Sequence, residues 1–334
     1  MGKLLEVTDL KVDFATAKGT LRAVDGVSFS LDKGESLGLV GESGCGKSTT
    51  AYALMRLLSD NGRVSGGKVE VDGKDLVAAS DVELRKSRWQ DIAIVFQNAM
   101  TALNPVMKIG DQLADALVLH QQVPRSQAMA RAAEIFEKVG LAPSRLMHYP
   151  HEFSGGMKQR AVMALALICS PKVLLADEPT TALDVVAQRQ VLELLVALKK
   201  DFGLSLILIS HDISAVAETC ERVAVMYAGQ IVEEGPTRRT LLGARHPYTR
   251  GLVASMPSLH ADIDTLESIE GGPPDLTHPP AACRFAPRCP YAQPICTAEA
   301  PPMVEVDAER RSRCHFALDL DQLKPRERSA NVAS

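Results

Sequence analysis

Residues 37–48 read Leu37-Gly38-Leu39-Val40-Gly41-Glu42-Ser43-Gly44-Cys45-Gly46-Lys47-Ser48. The run LGLVG is short, apolar and ends in glycine, the pattern of a parallel strand buried on both faces. The eight residues from Gly41 to Ser48 fit G-x-x-x-x-G-K-[ST]. Glycines let the backbone wrap a phosphate with its N–H groups turned inward. The segment 47–58 reads as the following helix, whose N-terminal partial charge adds to the attraction. In this pattern Lys47 reaches the β- and γ-phosphates and Ser48 offers a hydroxyl to Mg²⁺. The candidate phosphate-binding set is Gly41, Ser43, Gly44, Cys45, Gly46, Lys47, Ser48 and Thr49, with Cys45 at a free position of the motif.

Outward from this loop the chain alternates strand-like and helix-like segments. KVEVDG (68–73) alternates like a sheet-edge strand, and IAIVFQ (92–97), KVLLAD (172–177) and LSLILIS (204–210) read as buried strands. Between Gln97 and Pro171 the pattern is mainly helical, in DQLADALVLH, SQAMARAAEIFEKVG and MKQRAVMALALI. The segment 186–200 places Val191, Leu192, Leu194, Leu195 and Leu198 on one apolar helix face. The expected fold is therefore α/β with a mainly parallel sheet, an antiparallel edge subdomain and a helical insert over about residues 98–160.

The chain has 334 residues, 46% apolar and 23% charged, with a net charge of −4. This is ordinary globular composition, and it lacks the basic footprint of a nucleic-acid binder. No run approaches 18 consecutive apolar residues, so no membrane span is expected. MGKLLEVTDL has no apolar core of an export signal, which predicts a cytosolic chain with reduced thiols. Composition changes near residue 260: ten of the 19 prolines and four of the seven cysteines follow it. The division expected is 1–258 for a nucleotide-handling unit and 259–334 for a smaller, loop-rich appendage.

Val173-Leu174-Leu175-Ala176-Asp177-Glu178 is an apolar run ending in two acids. After a phosphate loop, Asp177 is a candidate Mg²⁺ holder through water, and Glu178 a candidate base for the attacking water. Phe153-Ser154-Gly155-Gly156-Met157-Lys158-Gln159-Arg160 lies upstream of these acids. It resembles the signature motif of ATP-binding cassette (ABC) ATPases, with Met157 where glutamine is usual. The resemblance extends through Gln97 as the Q-loop, Thr181-Ala182-Leu183-Asp184 as the D-loop, His211 as the switch histidine and Phe14 as the adenine-stacking aromatic.

It implies that Ser154, Gly155 and Gly156 bind the γ-phosphate of ATP held by a second cassette. It likewise implies that Gln97 contacts Mg²⁺ and links the insert to a membrane partner, and that His211 meets the γ-phosphate and water. The segments HYPHEFSGGMKQR, DEPTTALDVVAQRQ, VMYAGQIVEEG and RHPYTRGLVASMP resemble the dipeptide, oligopeptide and nickel importer branch. That branch implies a peripheral ATPase on the cytoplasmic face of the inner membrane. Its expected partners are a paralogous ATPase, two permease subunits and, indirectly, a substrate-binding protein. Nickel or another small solute as cargo, and a non-transport ATPase, are the alternatives.

Cys283, Cys289, Cys296 and Cys314 are spaced x5, x6 and x17. Four reduced thiols in a proline-rich segment suggest a metal site over disulfides. Their chemistry suits Zn²⁺ or an iron–sulfur cluster, and free thiols are the plain alternative. His278 and His315 are nearby substitutes as ligands. The importer resemblance favours a 4Fe–4S cluster.

Overall fold

The computed structural model describes residues 2–97, 102–181, 183–255 and 269–325. The chain opens with two long strands, β1 (Lys3–Thr16) and β2 (Gly19–Asp32), joined as a hairpin. Strand β3 (Ser36–Val40) and helix α1 (Lys47–Leu54) follow, flanking the glycine-rich loop. Next come β4 (Gly62–Val71), the two-residue β5 (Lys74–Asp75), α2 (Asp81–Gln90) and β6 (Ile92–Val95). Among the described residues, β2, β1, β4 and β5 form one antiparallel sheet in that order. The sheet-edge reading of 68–73 is thus off by one strand, because β5 caps the end of β4. Helix α1 also stops short of Leu58: Met55 caps it and Arg56 takes φ 49°, a left-handed conformation that ends a helix.

Helices α3 (Ile109–Gln121) and α4 (Arg125–Lys138) pack on each other and on α5 (Gly155–Leu167). They form a helical insert whose expected end at about residue 160 falls inside α5; residues 98–101, at its expected start, lie outside the described residues. Then come β7 (Val173–Asp177), α6 (Val185–Phe202), β8 (Ser205–Ser210), α7 (Ile213–Thr219) and β9 (Arg222–Tyr227). Strand β10 (Gln230–Pro236), α8 (Thr237–Leu242) and α9 (Pro247–Ala254) precede the C-terminal segment. That segment contributes α10 (Pro294–Ala298), β11 (Val304–Glu305) and β12 (Arg311–Ser312).

The second sheet runs β11-β12-β10-β9-β3-β8-β7-β6. Its five strands from β9 to β6 are parallel, and β10, β12 and β11 add antiparallel pairs at one edge. The C-terminal segment is therefore stitched into the main sheet by β12 against β10. The expected boundary at 258/259 falls outside the described residues.

The continuous apolar runs have a simple cause. Side chains alternate across a strand, and here both faces are covered. Leu174, Ala176, Leu206, Leu208, Val223 and Val225 enter the core shared with the helical insert. Val173, Leu175, Ile207, Ile209, Ala224 and Met226 enter the core shared with the antiparallel sheet. A strand sandwiched in this way needs apolar residues at every position. On α6, Val191, Leu195 and Leu198 are buried, and Leu192 and Leu194 flank them half-buried.

Candidate functional site

The parallel strands end on the same side, so the loops after β3, β6, β7 and β8 come together. The phosphate-type loop follows β3. Its Gly41 has φ 151°, and a Cβ there would stand 2.2 Å from the Met226 carbonyl oxygen; at Gly46, with φ 106°, one would stand 2.6 Å from that of Ala23. No other residue fits either place, because the loop backbone is pressed against its neighbours. Ser43 and Gly44 are exposed at the loop tip. Lys47 is 5% exposed, and its Nζ donates to the carbonyls of Gly41 (2.7 Å) and Glu42 (3.0 Å). The Cys45 side chain is buried beneath the loop, where burial raises its thiol pKa, and its Sγ accepts from Lys47 Nζ at 3.7 Å. Thr49 is half-buried on the first turn of α1.

Asp177, the last residue of β7, is wholly buried. Its Oδ1 accepts from the Ser48 hydroxyl at 2.9 Å, while its Oδ2 has no hydrogen-bond partner among the described residues. Burial, the largest influence, raises its pKa against the opposing pull of Ser48. An orphaned, buried carboxylate oxygen beside a serine hydroxyl suits a hard cation and its waters. The donor set thus fits Mg²⁺ at Ser48 and Asp177.

Glu178 is the hub of the site. Its backbone takes φ 45°, uncommon for a residue with a Cβ, and its N–H is tied to the Ile209 carbonyl at 2.9 Å. Its Oε2 accepts from Gln97 Nε2 at 2.8 Å and from the Thr181 hydroxyl at 3.1 Å, and its Oε1 lies 3.2 Å from His211 Nδ1. Gln97 follows β6 and His211 follows β8, so three strand ends meet at one carboxylate. Strain of this kind persists only where the surroundings impose it. A carboxylate so held can accept a proton from a water in front of it. Thr181, in the D-loop run, joins the site unexpectedly; its place three residues after Glu178 is the signal the sequence carries.

Other sequence candidates stand apart from this cluster. Ser154 caps α5, its hydroxyl accepting from the Met157 N–H at 3.4 Å, and Gly155 and Gly156 open the helix. Space beside Gly156 is open. Asp184 caps α6 through the Ala187 N–H at 2.9 Å. Among the described residues no hydrogen bond or ion pair joins these caps to Lys47, Ser48, Asp177 or Glu178. The nearest tie is indirect: Gln159 of α5 donates to the Pro179 carbonyl at 2.8 Å. Ala182 of the D-loop reading lies outside the described residues. Phe14 sits half-buried on β1 against the antiparallel-sheet core, its ring over Gly62.

A family model described as "ABC transporter" matches residues 24–181, and one described as "Oligopeptide/dipeptide transporter, C-terminal region" matches residues 232–296. The oligopeptide transport ATP-binding protein OppD of Escherichia coli is 46% identical over 313 residues, 93% of this chain and 92% of that one. This chain belongs to the ABC transporter family. The dipeptide transport ATP-binding protein DppD of Bacillus subtilis is 47% identical over 299 residues, 89% of each chain. Among solved structures, the dimeric ATP-binding cassette MJ0796 bound to ADP and Pi has a TM-score of 0.63 at 26% identity, over 70% of this chain and 99% of that one. The chain is thus an ABC ATPase, and the α/β cassette with mixed sheets is its fold.

The four C-terminal cysteines form the ABC ATPase's second grouping. Cys283, Cys289, Cys296 and Cys314 are free and line one small, enclosed apolar cavity, together with Phe285, Phe316 and Leu320 among others. Burial raises the thiols of Cys283, Cys289 (to about 12) and Cys314 (to about 11). Even so, no group of three or more His, Cys, Asp or Glu among the described residues is disposed to hold a metal ion. His315 lines the cavity and its Nε2 lies 3.1 Å from the Glu299 carbonyl oxygen, whereas His278 is turned to Thr277 outside it. His246, unremarked in the sequence, also lines the cavity; it is fully buried and its pKa is pushed down to about 3.

Proposed function

We propose that this ABC ATPase powers the import of di- or oligopeptides, docked on two permease subunits that receive cargo from a substrate-binding protein. The observation that carries the catalytic part is the meeting of Gln97, Thr181 and His211 on Glu178, beside the Ser48–Asp177 pair. In this reading Lys47 brings its ammonium to the β- and γ-phosphates of ATP, cradled by the backbone of residues 41–49. Mg²⁺, when bound, neutralises charge on the phosphate oxygens, and Ser48, Asp177 and Gln97 are the residues to hold it. Glu178 takes the proton of the attacking water, and His211 orients that carboxylate and reaches the γ-phosphate. Phe14 stacks on the adenine.

The helix that starts at Ser154, Gly155 and Gly156 carries no acidic residue in its first turn. A helix N-terminus attracts anions, and this one completes the ATP site of a second, paralogous cassette. Asp184 lies on the same shared surface. No helix among the described residues is long and apolar enough to cross a membrane, in keeping with peripheral attachment to the inner membrane through the permease. The names of the relatives favour peptide as cargo over nickel.

For the cysteine cavity, the importer resemblance favours a thiolate-bound 4Fe–4S cluster, although the four thiols as they stand do not form a metal-holding group among the described residues. Its support is the convergence of four free thiols on one cavity. Iron, sulfide and zinc assays on anaerobically purified protein test it: about four irons per chain are expected, and a metal-free preparation removes the cluster from the account. The transport reading is tested in liposomes holding permeases and both ATPases, with a peptide-loaded binding protein outside. ATP-driven peptide uptake is expected; uptake of nickel alone selects the alternative cargo.

A further inference from the structure

The polar groups of Glu42, the second residue of the phosphate loop, are committed. Its carbonyl accepts from Lys47 Nζ, its N–H donates to the Tyr248 hydroxyl at 2.8 Å, and its carboxylate is gripped by both terminal nitrogens of Arg288 at 2.8 and 2.9 Å. The partners come from more than 200 residues away, |i−j| being 206 for Tyr248 and 246 for Arg288. Arg288 is itself immobilised. Its side chain is 6% exposed, it donates to the carbonyls of Glu270 (2.8 Å) and Ile269 (3.3 Å), and it lies over the rings of Tyr227 and Phe285. Tyr248 is fully buried in the same aromatic group, with ring centroids 4.6 Å from Tyr227 and 5.4 Å from Phe285. Arg288 precedes Cys289, and Phe285 lines the thiol cavity. The cavity wall and the phosphate loop are thus one side chain apart.

We infer that Arg288 and Tyr248 are positioning residues of the ATP site, acting through Glu42. The inference rests on the reading of residues 41–48 as the phosphate cradle. Two physical effects combine. A glycine-rich loop is loose, and fixing its second residue at three points pre-pays the ordering that phosphate binding would otherwise cost. Glu42 also puts a negative charge next to a site for polyanions; a two-point guanidinium–carboxylate pair cancels it, which a lysine cannot do as well. A second contact runs the same way: Arg284, next to Cys283, pairs with Asp25 and donates to the Ala228 carbonyl, and Gly229 donates to the Cys45 carbonyl at 2.9 Å.

The test measures ATP KM and kcat of the assembled complex, with melting of the isolated full chain, for Arg288→Gln, Arg288→Lys, Tyr248→Phe and Arg288→Gln/Glu42→Gln. Arg288→Gln is expected to raise KM about 10-fold and leave kcat within about two-fold, the loss of one charged hydrogen-bonded pair. Arg288→Lys and Tyr248→Phe should fall between it and the parent. The double variant should have a lower KM than Arg288→Gln, because removing the carboxylate removes the uncancelled charge. A role in folding alone would lower the melting midpoint without that rescue. Unchanged KM in Arg288→Gln, or a double variant as impaired as the single one, overturns the inference; if Arg288→Gln does not fold, unchanged KM in Arg288→Lys does so. Lys47→Ala is the reference: normal ATP binding there would sink the cradle reading itself, whereas lost binding there with unchanged Arg288 variants sinks only the inference.

Discussion

The phosphate-loop end and the cysteine-lined end of this chain are assembled by opposite means. At the first, residues from four strand ends meet on two acids, and strain and an orphaned oxygen remain on them: φ 45° at Glu178 and, among the described residues, a partnerless Oδ2 on Asp177. At the second, four cysteines between Cys283 and Cys314 turn inward onto one apolar cavity. The first cluster is built at the expense of local comfort, as functional sites are. The second is built to be quiet and buried. Damage to the first should therefore remove function with the fold intact, and damage to the second should weaken the fold with function largely kept.

The largest effect is expected at Lys47. Lys47→Ala should abolish ATP binding, read by equilibrium titration, with an unchanged melting midpoint; a fall in stability of equal weight would erase the contrast. Glu178→Gln should keep ATP binding and slow turnover by at least about 100-fold. It should also accumulate an ATP-bound cassette dimer, seen by size-exclusion chromatography. Ser154→Arg should leave ATP binding to this chain unaltered and cripple hydrolysis at the partner cassette's site in the assembled complex. Normal turnover there would show that the helix start at Ser154 serves no anion. Cys314→Ser should act in the other direction. It should lower stability by about 1–2 kcal/mol and the melting midpoint by several degrees, while ATP KM moves less than about three-fold. A larger change in KM would mean that the two ends are coupled more tightly than through Arg288 alone. Phe14→Ala, the mildest, should raise ATP KM a few-fold and cost some stability, since the ring already packs on the core.

Legibility differed between these ends for a physical reason. The phosphate cradle, the two acids at the end of β7 and the helix start at Ser154 are local patterns, and each could be read where it stands. So could the parallel strands, because burial on both faces forces an unbroken apolar run. The misplacement of β4 and the overlong α1 came from features that periodicity does not carry: a two-residue cap strand and a left-handed Arg56. Thr181 stands three residues from Glu178, but nothing in the spacing of His246 and Tyr248 says that they face the thiol cavity and Glu42.

What the sequence determined by itself is the set of parts proposed for the cassette's chemistry, Gly41 to Ser48, Asp177, Glu178, Gln97 and His211, and alternating strands and helices as their frame. What tertiary structure decided is which parts touch. Strand order brings Gln97 and His211 to Glu178 across 81 and 33 positions, and the antiparallel edge carries the C-terminal segment round to the phosphate loop. Hydrogen bonds and ion pairs choose partners by proximity and desolvation. Neither leaves a period in the chain, so Arg288 and Glu42, 246 positions apart, could be joined only by the folded molecule.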